Sequence, residues 1–272
     1  MKDLCRRKNN RQGILKTMTV REFYQKLNEL IPASLSCEWD NDGLMCCPDS
    51  ARQASKVLVA LDPSINTVRA AIDGGYDAIV THHPLIFKGI KAIDDADMSA
   101  LKLMCLLEAN IAVMSFHTRL DAMEGGVNDH LASLLGLSQV EPLVNNGEKI
   151  GRVGVLPSPL NPEDMARGVK ELLGAPVVRL GNAGRPAWRI ALLGGSGDEE
   201  VDAAIAAGAD TYISGSLKYH QLADARELGI NLIEAGHFHT ENHVCSVLRD
   251  MILSVDESIV CDIHSEYAIT VI

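Results

Sequence analysis

Residues 57–83 and 190–216 can be laid over one another without a gap, and this self-similarity constrains the fold more than any other feature of the chain. Six columns are identical: Val68/Val201, Ala70/Ala203, Ala71/Ala204, Ile72/Ile205, Gly75/Gly208 and Asp77/Asp210. Each copy runs from an apolar stretch (VLVALD; IALLGG) through an amphipathic segment and a glycine to a second apolar stretch (YDAIVT; ADTYIS). Two successive parallel strands need a crossover between them, so strand, helix, strand implies a parallel pair. Repeated units of this kind point to an α/β fold built by internal duplication.

The rest of the chain fits around the two copies. Thr19 and Glu22 have the spacing of a capping box, and Phe23, Leu27, Leu30 and Ile31 follow at helical spacing, so a helix opens the fold. In residues 36–47, SCEWDNDGLMCC, the run Asp40, Asn41, Asp42, Gly43 breaks any period and reads as a structural turn before a short edge strand. Helices are expected near 98–107 and 127–135, with the strand IAVMSFH (111–117) between them. From Lys149 the pattern restarts with strand IGRVGVL, a Pro-rich turn over 157–162, a helix over 163–173 and strand VVRLG. After the second repeat come a helix near 218–228, a strand in INLIEAGH, a helix near 240–253 and EYAITVI as a closing strand. The expected division is a first lobe of 18–136 plus 237–272 and a second lobe of 137–236.

The composition is that of a globular chain: 272 residues, 47% hydrophobic, enough for one large or two modest cores. With 36 acidic against 25 basic residues the net charge is −11, which repels nucleic-acid backbone and anionic membrane alike. No apolar run reaches the roughly 18 residues that span a bilayer. Seven cysteines without paired CxxC spacing argue for reduced thiols and a cytoplasmic protein. Residues 1–17 carry six basic residues and one acidic one and read as a disordered basic leader, with Met18 as an alternative start.

In open α/β sheets ligands meet the carboxyl ends of the strands. The side chains expected there are His82 and His83 after YDAIVT, His117 and Asp121 after IAVMSF, and His237 and Glu241 after the strand near 230–236. At i, i+4 on a helix, His237 and Glu241 share a face and can bind one ion. Mixed imidazole and carboxylate ligation suits zinc, iron, manganese or nickel. Four or five such ligands, with a carboxylate able to bridge, would hold two divalent ions that activate a shared water. His130 and His264 have no partners in this scheme and read as surface residues.

The segments WDNDGL, THHPLIF, FHTRLDAMEGGVNDHLA, SGSLKYHQ and GHFHTE, in this order, resemble the Nif-three-like family, whose members are known as GTP cyclohydrolase 1 type 2 homologues or dinuclear metal-centre hexameric proteins. The resemblance spans nearly all of residues 18–272. It implies two α/β lobes related by a pseudo-twofold, a dinuclear site in the cleft between them, and a ring-shaped homohexamer. By position it gives His83 and Asp121 to one metal, His82 and His237 to the other, and Glu241 as the bridge. It also places His117, Lys218 and His220 in the cleft as proton-transfer or substrate contacts. Ser216 and Arg119 depart from the common pattern, which carries an acidic residue and an Asn there, and make the pocket less negative, as an anionic ligand such as a triphosphate would require.

The function implied is a metal-dependent hydrolase of the GTP cyclohydrolase type, with water attack at guanine C8 and release of formate. No P-loop is present, so GTP enters through the resemblance alone. The alternatives are a dimetal hydrolase of another substrate and a non-catalytic metal-binding or regulatory hexamer.

Overall fold

The computed structural model describes residues 18–272; the expected leader at 1–17 lies outside them. The strands in chain order are β1 (Gly43–Cys46), β2 (Lys56–Ala60), β3 (Ala78–Thr81), β4 (Ala112–Ser115), β5 (Ser138–Asn145), β6 (Glu148–Leu160), β7 (Arg179–Gly181), β8 (Ala187–Ser196), β9 (Thr211–Ser216), β10 (Asn231–Glu234) and β11 (Val260–His264). They form two sheets, one ordered β1-β4-β3-β2-β11 and the other β5-β6-β8-β9-β10-β7. In the first, β11, β2, β3 and β4 are parallel, with β1 antiparallel at the edge. In the second, β8, β9 and β10 are parallel, with β6 and β7 antiparallel beside them. The expected α/β class and parallel pairs are therefore those of the folded chain.

The apolar runs become strands covered on both faces. Side chains alternate across a strand, so Val57, Val59, Val80 and Met114 enter one core with Phe23 and Leu27 of helix Val20–Leu30 and Leu248 and Ile252 of helix Val244–Val255. Leu58, Ile79 and Val113 enter another with Val68 and Ala71 of helix Ile65–Gly74 and Leu106 of helix Met98–Ala109. Helices on each face explain why β2, β3 and β4 read as continuous apolar runs rather than alternating ones.

The repeated aspartate does the same work twice. Asp77 accepts from the Ser55 and Lys56 backbone N–H groups, and Asp210 from those of Trp188 and Arg189. In each copy the aspartate's own N–H and C=O link neighbouring strands, to Lys56 and Ala112 in one and to Arg189 and Asn231 in the other. The sequence repeat thus corresponds to a repeated hydrogen-bonding unit that pins the start of the second strand to the start of the first.

Four expectations are corrected. The Pro157–Pro162 region is not a turn: β6 continues to Leu160, and its prolines sit on an exposed end where the register against β8 slips between Val155 and Leu160, a place where a missing N–H is tolerated. EYAITVI is not a strand either. The last strand is β11, beside β2, and the tail beyond it packs through side chains, with Glu266 accepting from Asn66 and Tyr267 against Phe238. The helix near 218–228 breaks at Asp224 into Tyr219–Ala223 and Ala225–Leu228. The helix near 240–253 is two, His237–Glu241 and Val244–Val255, so His237 opens a helix rather than preceding one.

Candidate metal centre

His82 and His83 follow directly on β3. The Thr81 hydroxyl donates to the His83 carbonyl at 2.7 Å and contacts the Ser115 hydroxyl at 2.9 Å, which fixes the turn out of the strand. His82 is fully buried, and its Nδ1 lies 2.9 Å from the Phe116 carbonyl. A carbonyl only accepts, so Nδ1 carries the proton and the lone pair of Nε2 points the other way. His83 Nδ1 lies 2.7 Å from the Asp62 carboxylate, which leaves its Nε2 toward the same space. Asp121 comes from the short helix Thr118–Ala122 after β4, and His237 and Glu241 stand at the two ends of helix His237–Glu241 after β10.

Glu241 is the centre of the arrangement and is buried. Its Oε2 lies 2.9 Å from His237 Nε2 and 3.1 Å from His83 Nε2, and these two nitrogens are 3.2 Å apart. Its Oε1 lies 3.6 Å from His82 Nε2, which is 3.7 Å from Asp121 Oδ1. All five residues expected as ligands therefore converge. Their grouping differs from the one the resemblance implied: His82 stands with Asp121 and one Glu241 oxygen, and His83 with His237 and the other. The reason is local. Adjacent residues leaving a strand diverge, and the bonds to Phe116 and Asp62 turn His82 toward the β4 side and His83 toward helix His237–Glu241.

The donor set fits divalent cations. His82 Nε2 and Asp121 Oδ1 are buried with no hydrogen-bond partner, a condition that costs about 1–3 kcal/mol for each unpaired group. A cation between them would satisfy both. Donor atoms of His82, Asp121 and Glu241, and separately of His83, His237 and Glu241, lie within 4.8 Å of one another. The protonation pattern tells the same story. Burial opposes charge on Glu241, yet hydrogen bonds from His237 and His83, with the His82 ring close by, hold its carboxyl well below the usual range. Burial would lower His83, but the Asp62 and Glu241 carboxylates push it up to about 10. Asp121 goes the other way: burial first, then the Glu241 charge, raise it well above an ordinary aspartate.

Close packing around Glu241 requires glycine. Gly195, at φ 72°, would place a Cβ 2.1 Å from Glu241 Oε1, and Gly215 would place one 2.7 Å from the His237 Cα. In the repeat, Gly195 aligns with Asp62 and Gly215 with His82. One copy thus supplies polar groups where the other supplies room for the helix that carries the remaining ligands.

Two residues that orient the site were read only as strand or turn. Asp62 lies two residues beyond β2 and holds His83. Asp40 lies 2.9 Å from His117 Nδ1 and accepts from the Thr118 N–H and hydroxyl, so WDNDG is a support for His117 as well as a turn. A carboxylate behind a ligating imidazole fixes its tautomer and raises its basicity. An aspartate at a strand's carboxyl end was the available signal for Asp62; nothing in the spacing marks Asp40.

His117 stands beside the pair, with one ring nitrogen within 4.8 Å of donor atoms of His82 and His83. Lys218 and His220 are not brought to this cluster. Lys218 is paired with Asp198 at 2.7 Å, and His220 lines a neighbouring pocket with Asp198, Gln221 and Asp224. Lys218 caps helix Tyr219–Ala223 and His220 lies within it. Arg119 is also elsewhere: it is buried in a bidentate pair with Asp42 and bonds Asn28 and the Ile31 carbonyl. His130 is not an isolated surface residue, since its Nδ1 lies 2.9 Å from Nδ1 of His243.

A cleft of about 610 Å³ opens over the cluster. Its lining includes Trp39, Phe87, His117 and Asp121 from the first half of the chain and Glu148, Asp198, Glu199 and Glu200 from the second. The expectation of a less negative pocket is corrected: among the described residues no Lys or Arg lines the cleft, and Arg119 is instead paired with Asp42.

The family model described as Duf34/NIF3 (NGG1p interacting factor 3) matches residues 18–265. A protein named GTP cyclohydrolase 1 type 2 homolog from Clostridium perfringens is 31% identical over 229 residues, which cover 82% of this chain and 87% of the relative. One of the same name from Nostoc is 34% identical over 225 residues, covering 81% and 84%. Among solved structures, a hypothetical protein of Staphylococcus aureus superposes with a TM-score of 0.83 at 27% identity, covering 94% of this chain and 100% of that one. Reduced HcgD from Methanocaldococcus jannaschii gives 0.79 at 28% identity, covering 90% and 97%. On the extent of the model match and the identity to these relatives, the chain belongs to the Duf34/NIF3 family.

Proposed function

We propose that the protein is a dinuclear metal-dependent hydrolase, with His82 and Asp121 serving one divalent ion, His83 and His237 the other, and Glu241 bridging them. The observation that carries this reading is the position of Glu241, a single buried carboxylate whose two oxygens face two different sets of donors. Two divalent ions bound there would bring the pKa of a shared water toward neutrality and polarise the bond under attack. The chain's own residues supply the rest. Asp40 holds His117 Nδ1, so the other ring nitrogen is free to take a proton and return it to the leaving group. Asp62 and the Phe116 carbonyl keep His83 and His82 in the tautomers that offer Nε2.

The name of the relatives nominates GTP, with ring opening at guanine C8 and loss of formate. A dimetal hydrolase of another substrate is the second reading, favoured by the acidic lining of the cleft, in which no described residue offers a triphosphate a cationic side chain. A cytoplasmic homohexamer with two ions per chain completes the proposal; among the described residues no helix is long and apolar enough to cross a membrane. The test is formate release from GTP by protein loaded with zinc, manganese or iron, beside Glu241→Gln, with metal content measured on both. Turnover lost in the variant supports the enzyme reading. Two ions per chain without turnover on any hydrolysable nucleotide would replace it with the non-catalytic metal-binding one.

A further inference from the structure

The cleft has a chemistry that the proposed reaction does not use. Trp39 and Phe87 stand at its mouth, 57% and 48% exposed, with ring centroids 6.3 Å apart. Each meets His117 edge-on, at 6.3 and 6.1 Å. The Trp39 indole N–H donates to Glu148 at 3.0 Å, so the ring is tied across the cleft to β6. Large aromatic side chains left in water beside an ordered site offer a face to a ligand rather than to the core. Facing them are Glu148, Asp198, Glu199 and Glu200, of which Asp198 is neutralised by Lys218.

We propose that this cleft selects an amino-substituted planar heteroaromatic ring, as a free base or a nucleoside, and discriminates against its polyphosphorylated forms. Flat rings stack on exposed aromatics whatever their sequence of ring atoms. Ring amino and N–H groups make charge-assisted hydrogen bonds to carboxylates such as Glu148 and Glu199. Among the described residues no cationic side chain is in the lining, so in the metal-free protein a triphosphate brings several negative charges to the same carboxylates, and like charges placed together work against binding. The inference rests on the cleft being the reaction site proposed above and narrows which molecule enters it.

The test uses Trp188→Phe, which leaves Trp39 as the single tryptophan. Its fluorescence is titrated with guanosine and with GTP, on chelator-stripped protein and on zinc-reloaded protein. Saturable quenching by guanosine is expected in both, with GTP binding the stripped protein at least about tenfold more weakly. Glu199→Lys is expected to narrow that gap by about fivefold or more through the reversed charge. Trp39→Ala, followed by equilibrium dialysis with guanosine, is expected to lose about tenfold in affinity with unchanged metal content. GTP binding the stripped protein as tightly as guanosine, or Trp39→Ala leaving guanosine affinity intact, would overturn the proposal. Because the readout is binding without metal, selectivity for guanosine in a protein that turns nothing over would sink the hydrolase reading and leave this one standing.

Discussion

Glu241 shows how much of the site rests on single side chains. Its carboxylate is stable in a buried position only because three imidazoles surround it. Glu241→Gln keeps the shape but loses the charge, and is expected to cost at least about 100-fold in affinity for one ion while the fold survives; elemental analysis and circular dichroism check both halves. Asp62→Asn is milder, since Asn still accepts from His83 Nδ1. The expected loss is about 10–100-fold in metal affinity, read by competition with a chromogenic chelator. Glu200 gives a prediction free of the metal. Burial raises its carboxyl above the ordinary glutamate value of 4.5, so the folded state binds its proton more tightly than the unfolded chain does. That penalty is absent well below 4.5 and grows as pH rises through the folded value. Glu200→Gln should therefore raise the melting temperature at pH 8 and leave it unchanged at pH 4; an equal shift at both would refute the assignment.

Helix His237–Glu241 is five residues long, too short to be stable by itself, so its surroundings hold it. Thr240 accepts from the Gly195 N–H at 3.0 Å, and the bare backbones of Gly194, Gly195 and Gly215 let the helix approach β8 and β9. A Cβ on Gly215 would meet the Gly195 carbonyl at 2.5 Å and Thr240 Oγ1 at 2.6 Å. Gly215→Ala is expected to destabilise by about 1–3 kcal/mol through overpacking and to weaken metal binding by moving His237 and Glu241; urea denaturation and metal content measure the two effects. The loop that carries Trp39 and Asp40 depends on the pair between Arg119 and Asp42, both nearly inaccessible. Removing one partner strands a buried charge, so Arg119→Ala should cost about 3–5 kcal/mol, an effect that chemical denaturation would read directly.

At the scale of the whole molecule the candidate ligands tie the two sheets together. His82, His83 and Asp121 follow strands of the first sheet, whereas His237 and Glu241 follow β10 of the second. Ions that bind only the folded arrangement stabilise it by mass action, about 2.7 kcal/mol at a hundredfold excess over Kd. Zinc loading is therefore expected to raise the melting temperature and a chelator to lower it, with a smaller rise in Glu241→Gln at the same zinc concentration. Scanning fluorimetry across a zinc titration tests this, and sedimentation velocity of the loaded protein tests the proposed hexamer.

By itself the sequence determined the α/β class, the parallel strand–helix–strand units and the strand ends on which His82, His83, His117 and Asp121 stand. Apolar runs bounded by Gly and Pro and a repeat that includes Asp77 and Asp210 are local signals, and local signals are legible in one dimension. What turned on distance between elements was not. The grouping of His82 with Asp121, the support of His117 by Asp40, the burial of Arg119 away from the cleft and the placing of His220 outside it depend on which segments the packed core brings together. The edge strand β1 is legible after the Asp40–Gly43 turn, but the edge strand β11 is not, because its pattern gains meaning only beside β2, and EYAITVI has strand propensity without a neighbouring strand and so makes no ladder. The acidic wall of the cleft comes from β6 and the segment after β8, far in sequence from the histidines, and only folding sets those carboxylates opposite Trp39 and Phe87.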